Sequence, residues 1–132
     1  MQSLTLDTFI TWLDSYGKAS QENDAGASAE LFSPDARYYE TPFAEPVIGR
    51  EAIYQYWLAG AQTLKDKQAT YEIYSVKDRL GIARWCSQFT VIQTGLRMAL
   101  DCLFLVAFDE DGQCSEFREW WHAQSEEPHE NP

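Results

Sequence analysis

The sequence predicts an α+β fold: three N-terminal helices and a curved, mostly antiparallel sheet wrapped around them, enclosing a pocket. Two observations lead there. Apolar residues recur at helical spacing in the first half of the chain and alternate at strand spacing in the second, with hairpin turns between the alternating runs. Aromatic residues make up 14% of the 132 positions, far more than a disordered chain carries and enough to line a cavity as well as fill a core.

The elements follow in order. Leu4 to about Asn23 reads as the first helix. Thr5 can cap it, Asp7 sits in the first turn where the dipole favours an anion, and Leu6, Phe9, Leu13 and Tyr16 keep the helical period with Trp12 beside them. Asp24 opens a short second helix through Ala27, Leu31 and Phe32, which Ser33-Pro34-Asp35 stops. Ala36 to Thr41 is a short strand, and Pro42, Pro46 and Gly49 mark a loop after it. Gly49 to Leu64 is the third helix, with Ile53, Trp57 and Ala61 on one face. Four long strands are then expected at Gln68–Val76, Ile82–Gln93, Leu96–Phe108 and Gln113–Ala123, joined by turns at Lys77–Gly81, Thr94-Gly95 and Asp109–Gly112. A single domain therefore occupies residues 1–123, and the acidic tail 124–132, with two prolines, is expected to be disordered.

The two-residue period of a strand sorts side chains by face. Trp85, Ser87, Phe89 and Val91 share one face and should point to the helices and cavity; Arg84, Cys86, Gln88 and Thr90 take the other. Phe117, Glu119 and Trp121 share the inner face of the last strand, opposite Glu116, Arg118, Trp120 and His122. The strand between them is apolar on both faces, with Leu103, Leu105 and Ala107 outward, so its outer face should be covered by a second copy of the chain.

Charge and motif content exclude several classes. Ten basic residues against 21 acidic ones give a net charge of -11, so neither a nucleic acid nor an anionic membrane surface is an expected partner. The N-terminus has no basic segment before an apolar core, and no run approaches the roughly 20 apolar residues of a membrane span. Cys86, Cys102 and Cys114, odd in number and widely spaced, read as reduced packing residues of a cytoplasmic protein. No zinc spacing, phosphate-binding loop or nucleophile elbow occurs, so no cofactor and no metal is expected.

Three stretches carry a resemblance: AELFSPDARYYETPF at Ala29–Phe43, GREAIYQYW at Gly49–Trp57, and CSEFREWWH at Cys114–His122. Together with the aromatic first helix they resemble the nuclear transport factor 2-like superfamily, in its SnoaL-like polyketide-cyclase and ketosteroid-isomerase branch, over roughly Leu6 to His122. The resemblance implies a cone-like fold with an internal pocket, but no single reaction, because isomerases, cyclases, hydrolases and non-catalytic members share it. Ketosteroid isomerases use a carboxylate base with a tyrosine and a protonated acid as the oxyanion hole. Carried over by position, the tyrosine falls on Tyr16 and the base on Glu40, while the protonated acid falls on Phe104, which cannot donate. REWW at Arg118–Trp121 also resembles the terminal motif of limonene-epoxide-hydrolase-like members, which makes Glu119 the third candidate. Those enzymes need an Arg-x-Asp on an earlier strand; here the nearest run is Arg84-Trp85-Cys86, without the Asp and with Arg84 facing outward.

Each candidate has a plain structural alternative. Tyr16 is either a donor to a ligand oxygen or a core tyrosine whose hydroxyl bonds a buried group. Glu40 is either a general base or a solvated carboxylate at a strand end. Glu119 is either a cavity acid flanked by rings or half of an ion pair with Arg97 or Arg37. Asp101, on the outer face, would pair with Arg97 or a partner subunit. Trp12, Tyr38, Trp57, Trp85, Phe89, Phe104, Phe117 and Trp121 are the expected ligand-facing rings, or simply core. His122 at a strand end and His129 in the tail are surface residues by default. The expected function is a pocket protein binding a small apolar or polycyclic ligand, with isomerase- or cyclase-type acid–base activity as its enzymatic form. A non-catalytic dimeric interaction domain and an epoxide hydrolase are the alternatives.

Overall fold

The computed structural model describes residues 3–126. Helix α1 (Leu6–Gln21) starts where Thr5 accepts a hydrogen bond from the Thr8 amide at 3.1 Å, as its N-cap position predicts. Its buried stripe is Phe9, Trp12, Leu13, Tyr16 and Ala19, one face of the helix at the expected spacing, except that Leu6, expected to begin the stripe, opens the first turn and is 54% exposed. Phe9 and Leu13 are wholly buried, and each contributes on the order of 2 kcal/mol by leaving water. The Asp24 side chain accepts from the Ala27 amide at 3.0 Å and caps α2 (Ala25–Glu30).

The chain turns to strand earlier than its sequence suggests. β1 is Phe32–Tyr39, so Phe32, read as helical, opens a strand, and Ser33-Pro34-Asp35 lie inside that strand instead of ending a helix. Proline is tolerated there because the pairing with the last strand is irregular between Phe32 and Arg37, where no ladder amide is demanded. Burial of the Phe32 ring against Trp12, Tyr38 and Phe117 outweighs local propensity. The loop marked by prolines contains a two-residue strand, β2 (Val47–Ile48), which pairs with Arg37 and Tyr38. Gly49, at φ +94°, then sets the start of α3 (Arg50–Ala61), and the Arg50 guanidinium donates twice to the Phe32 carbonyl, at 2.8 and 2.9 Å.

The four long strands are β3 (Leu64–Lys77), β4 (Leu80–Val91), β5 (Arg97–Phe108) and β6 (Cys114–Ser125). They form one sheet in the order β2-β1-β6-β5-β4-β3, antiparallel except that β1 runs parallel to β6. β3 begins four residues before the expected Gln68, across a bulge between Lys65 and Gln68. β6 extends past the expected end at Ala123: Gln124 and Ser125 still pair, with Ala99 and Met98. The rest of the expected tail, with His129, lies outside the described residues.

The predicted faces hold. Cys102, Phe104 and Val106 are buried while Leu103 is 39% exposed, so Leu103, Leu105 and Ala107 do face outward. The core is a ring cluster between α1 and the inner sheet face, in which Phe117 lies nearly parallel to Tyr16 and Tyr38, at 5.5 and 5.0 Å between centroids. Gly81 makes the closest approach possible: a Cβ there would sit 2.6 Å from the Phe9 ring. Among the described residues no helix is long and apolar enough to cross a membrane.

Candidate functional site

The curved sheet and the helices leave a cavity of about 730 Å³ on the inner face, within the range of small-molecule sites. Tyr16, Tyr38, Glu40, Trp57, Trp85, Phe89, Phe104, Glu119 and Trp121 all line it, so the inner-face parity of β4, β5 and β6 places their candidates together. Two expected ligand-facing rings do not. Trp12 and Phe117 sit behind the wall: the Trp12 indole donates to the Leu31 carbonyl at 3.2 Å, and Phe117 is wholly buried among Tyr16, Tyr38 and Phe104. Both support the wall from the core because the rings in front of them, Tyr16 and Phe104 above all, fill the space between them and the cavity. Gln68, Ala69, Gln88 and Trp121 are exposed as well as lining, and mark the open end.

The polar chemistry converges on Glu119. The Tyr38 hydroxyl donates to Glu119 Oε1 at 3.1 Å. Burial pushes the Glu119 carboxyl up to about 7, the Tyr38 hydrogen bond working against the shift and the Glu40 charge adding to it. Among the described residues no arginine neutralises it: Arg97 donates instead to the Asp66 carbonyl and to Thr90, and Glu119 meets a tyrosine instead of an ion-pair partner. Burial likewise holds the phenols of Tyr16 and Tyr38 far above their ordinary pKa, and the two hydroxyls interact with one another. Both therefore stay protonated donors throughout the physiological range. Tyr56 joins them from α3, its ring 5.4 Å from Tyr38 and its phenol raised by burial and by Glu40.

Glu40 stands at the rim. Its backbone carbonyl accepts from the Trp121 indole at 3.2 Å, which fastens the end of β1 to β6. The parallel pairing of these two strands, Tyr38 opposite Phe117, is what brings Tyr38 and Glu40 onto the side of Glu119. Phe104, where the resemblance led us to look for an acid, stacks on Trp85 at 5.3 Å and offers no hydrogen bond, while Tyr16, Tyr38 and Tyr56 offer hydroxyls beside Glu119.

Sequence reasoning did not single out Tyr56 or Lys67, both lining residues. Tyr56 sits one helical turn after Ile53 and next to Trp57, a weak signal. Lys67 carried none, because the bulge in β3 decides its direction.

The outer face resolves the remaining candidates. Arg84 holds Asp101 through two hydrogen bonds, at 2.6 and 2.9 Å, so the partner of Asp101 is Arg84 and not Arg97. Cys86 and His122 flank Asp101 in register, and all three line a smaller depression of about 570 Å³ on that face. No arginine–acid pair of the epoxide-hydrolase kind reaches the cavity from this strand.

Fold and site together define a cone-like α+β protein with an aromatic cavity and a tyrosine-bonded carboxyl, Glu119, in its wall. The SnoaL-like domain model matches residues 13–117, and the chain belongs to this family. Among solved structures, a candidate isomerase from Bacillus subtilis superposes with a TM-score of 0.76 at 22% identity, covering 88% of this chain and 87% of that one. SalBIII, an epoxide hydrolase/cyclase-like enzyme in pyran ring formation in the polyether salinomycin, superposes with a TM-score of 0.75 at 15% identity, covering 88% of this chain and 92% of that one. No curated protein matches the chain.

Proposed function

We propose that this protein binds a small apolar, ring-containing molecule in the inner cavity and moves a proton on it, in an isomerase- or cyclase-type reaction. The observation that carries the reading is the Glu119 carboxyl, set in an aromatic wall and bonded by Tyr38. A group that titrates near neutrality is populated in both forms, so it can take a proton from carbon and return it elsewhere. Tyr16, a protonated donor in the same wall, steadies the oxygen on which negative charge develops. Burial holds the Glu119 pKa high, and the charge of Glu40 at the rim adds a smaller push in the same direction, so Glu40 acts on the proton carrier. This assigns the transfer to Glu119 and a supporting part to Glu40. With Phe104 in place of a second acid, one oxyanion donor is missing, and the rate should fall ~10²–10³-fold below that of a site with both.

The test is a panel of polycyclic β,γ-unsaturated ketones followed by the absorbance of the conjugated product. Glu119→Gln should slow isomerisation by ~10²-fold or more, and Tyr16→Phe by a comparable factor. Binding with no turnover of any ketone, or turnover indifferent to Glu119→Gln, would leave a ligand carrier and remove the acid–base reading.

We propose further that two copies pair through the outer sheet face. Leu103 and Trp120, directly paired across β5 and β6, are 39% and 42% exposed and form an apolar patch that a second copy would cover. The three free cysteines support a cytoplasmic, reducing location.

A further inference from the structure

The cavity contains a cation that the acid–base reading does not use. Lys67 lies in the β3 bulge between Lys65 and Gln68, after Asp66, whose φ is +52°. Bulges re-aim side chains, and a non-glycine residue in the left-handed region costs energy that the surroundings must supply. Here Arg97 supplies it by donating to the Asp66 carbonyl at 2.7 Å, and Asn23 ties the strand start by donating to the Leu64 carbonyl at 3.1 Å. The result turns Lys67 to the cavity wall, half-buried.

Among the described residues no carboxylate or carbonyl engages its ammonium, and burial alone lowers its pKa. Glu119 is not among the charges acting on it, nor is it among those acting on Glu119, so the two groups serve different parts of the cavity. An ammonium donates and cannot accept, so the ligand group that satisfies it is an acceptor. A half-buried ammonium is best matched by an acceptor that carries negative charge.

We infer that the ligand of this cavity is an apolar acid, its carboxylate or equivalent anionic group held by Lys67 while its rings fill the aromatic wall. The inference rests on the cavity being a ligand site, as proposed above, and names the class of molecule it takes. On a protein with a net charge of -11, the inward Lys67 also gives the site selectivity: anions are repelled elsewhere and held here.

The test compares two dyes with the same rings, anilinonaphthalene sulfonate and neutral N-phenylnaphthylamine, titrated into the full chain by fluorescence. The native protein should bind the sulfonate more tightly. Lys67→Met should weaken the sulfonate by about tenfold or more and leave the neutral dye unchanged, and Lys67→Arg should keep the preference. The unchanged neutral dye shows at the same time that Lys67→Met has folded. If Lys67→Met leaves both dyes as they were, or weakens both alike, the anion site is overturned while the cavity stands. If neither dye binds the native protein, the cavity is no ligand site and the inference falls with it.

Discussion

Replacing Glu119 by Gln should stabilise the protein, and by an amount that grows with pH. The carboxyl is moved from 4.5 to about 7, by burial first. At ~1.4 kcal/mol per pKa unit, ionising Glu119 costs about 3 kcal/mol more in the folded chain than in the unfolded one. The folded state holds this proton more tightly, so stability is greatest below the unfolded value and falls as pH rises toward about 7. Roughly 1 kcal/mol of the cost is expressed at about pH 5.5 and about 3 kcal/mol at about pH 8. Gln keeps the volume and can still accept the hydrogen bond from Tyr38, while carrying no charge to desolvate. The Glu119→Gln protein should therefore gain about 2 kcal/mol on the native one between those two conditions. Urea denaturation at both, followed by tryptophan fluorescence, reads the difference from the midpoints. A stability gap that is the same at both would refute the reasoning: Glu119 would then be hydrated when ionised, and its proposed role in proton transfer would lose its physical basis.

Two further outcomes test the packing. Gly81→Ala places a methyl group 2.6 Å from the Phe9 ring in the wholly buried contact between α1 and β4, and should cost about 1–3 kcal/mol in thermal or urea unfolding; no loss would mean that α1 does not lie so close to the sheet. Leu103→Lys puts a charge on the outer patch between Arg84 and Trp120, and should weaken self-association about tenfold or more by sedimentation; a native chain that sediments as a monomer at micromolar concentration would remove the dimer.

Much of this architecture was legible in the chain because its signals are periodic and local. Thr5 and Asp24 cap their helices as their side-chain chemistry demands, and the stripe from Phe9 to Tyr16 buries the face that its spacing selects. Strand parity was legible for the same reason: one sheet face is buried, and a slip of one residue would expose every core side chain on that strand. Glu119 and Trp121 could be placed in the cavity, and Arg84 and Asp101 outside it, from residue alternation alone. Tertiary structure decided the rest. The Tyr38–Glu119 hydrogen bond joins residues 81 apart through the parallel pairing of β1 and β6, a long-range contact on which no local pattern reports. Burial raised Glu119 to about 7, because desolvation depends on what packs around a carboxyl and not on its sequence neighbours. Trp12 and Phe117 have the composition of lining residues yet stand behind the wall, since periodicity gives the face of an element and not the depth of a layer. The direction of Lys67 depends on a bulge held open by Arg97 from thirty-one residues away, so the cation in the cavity emerges only when the sheet has closed around it.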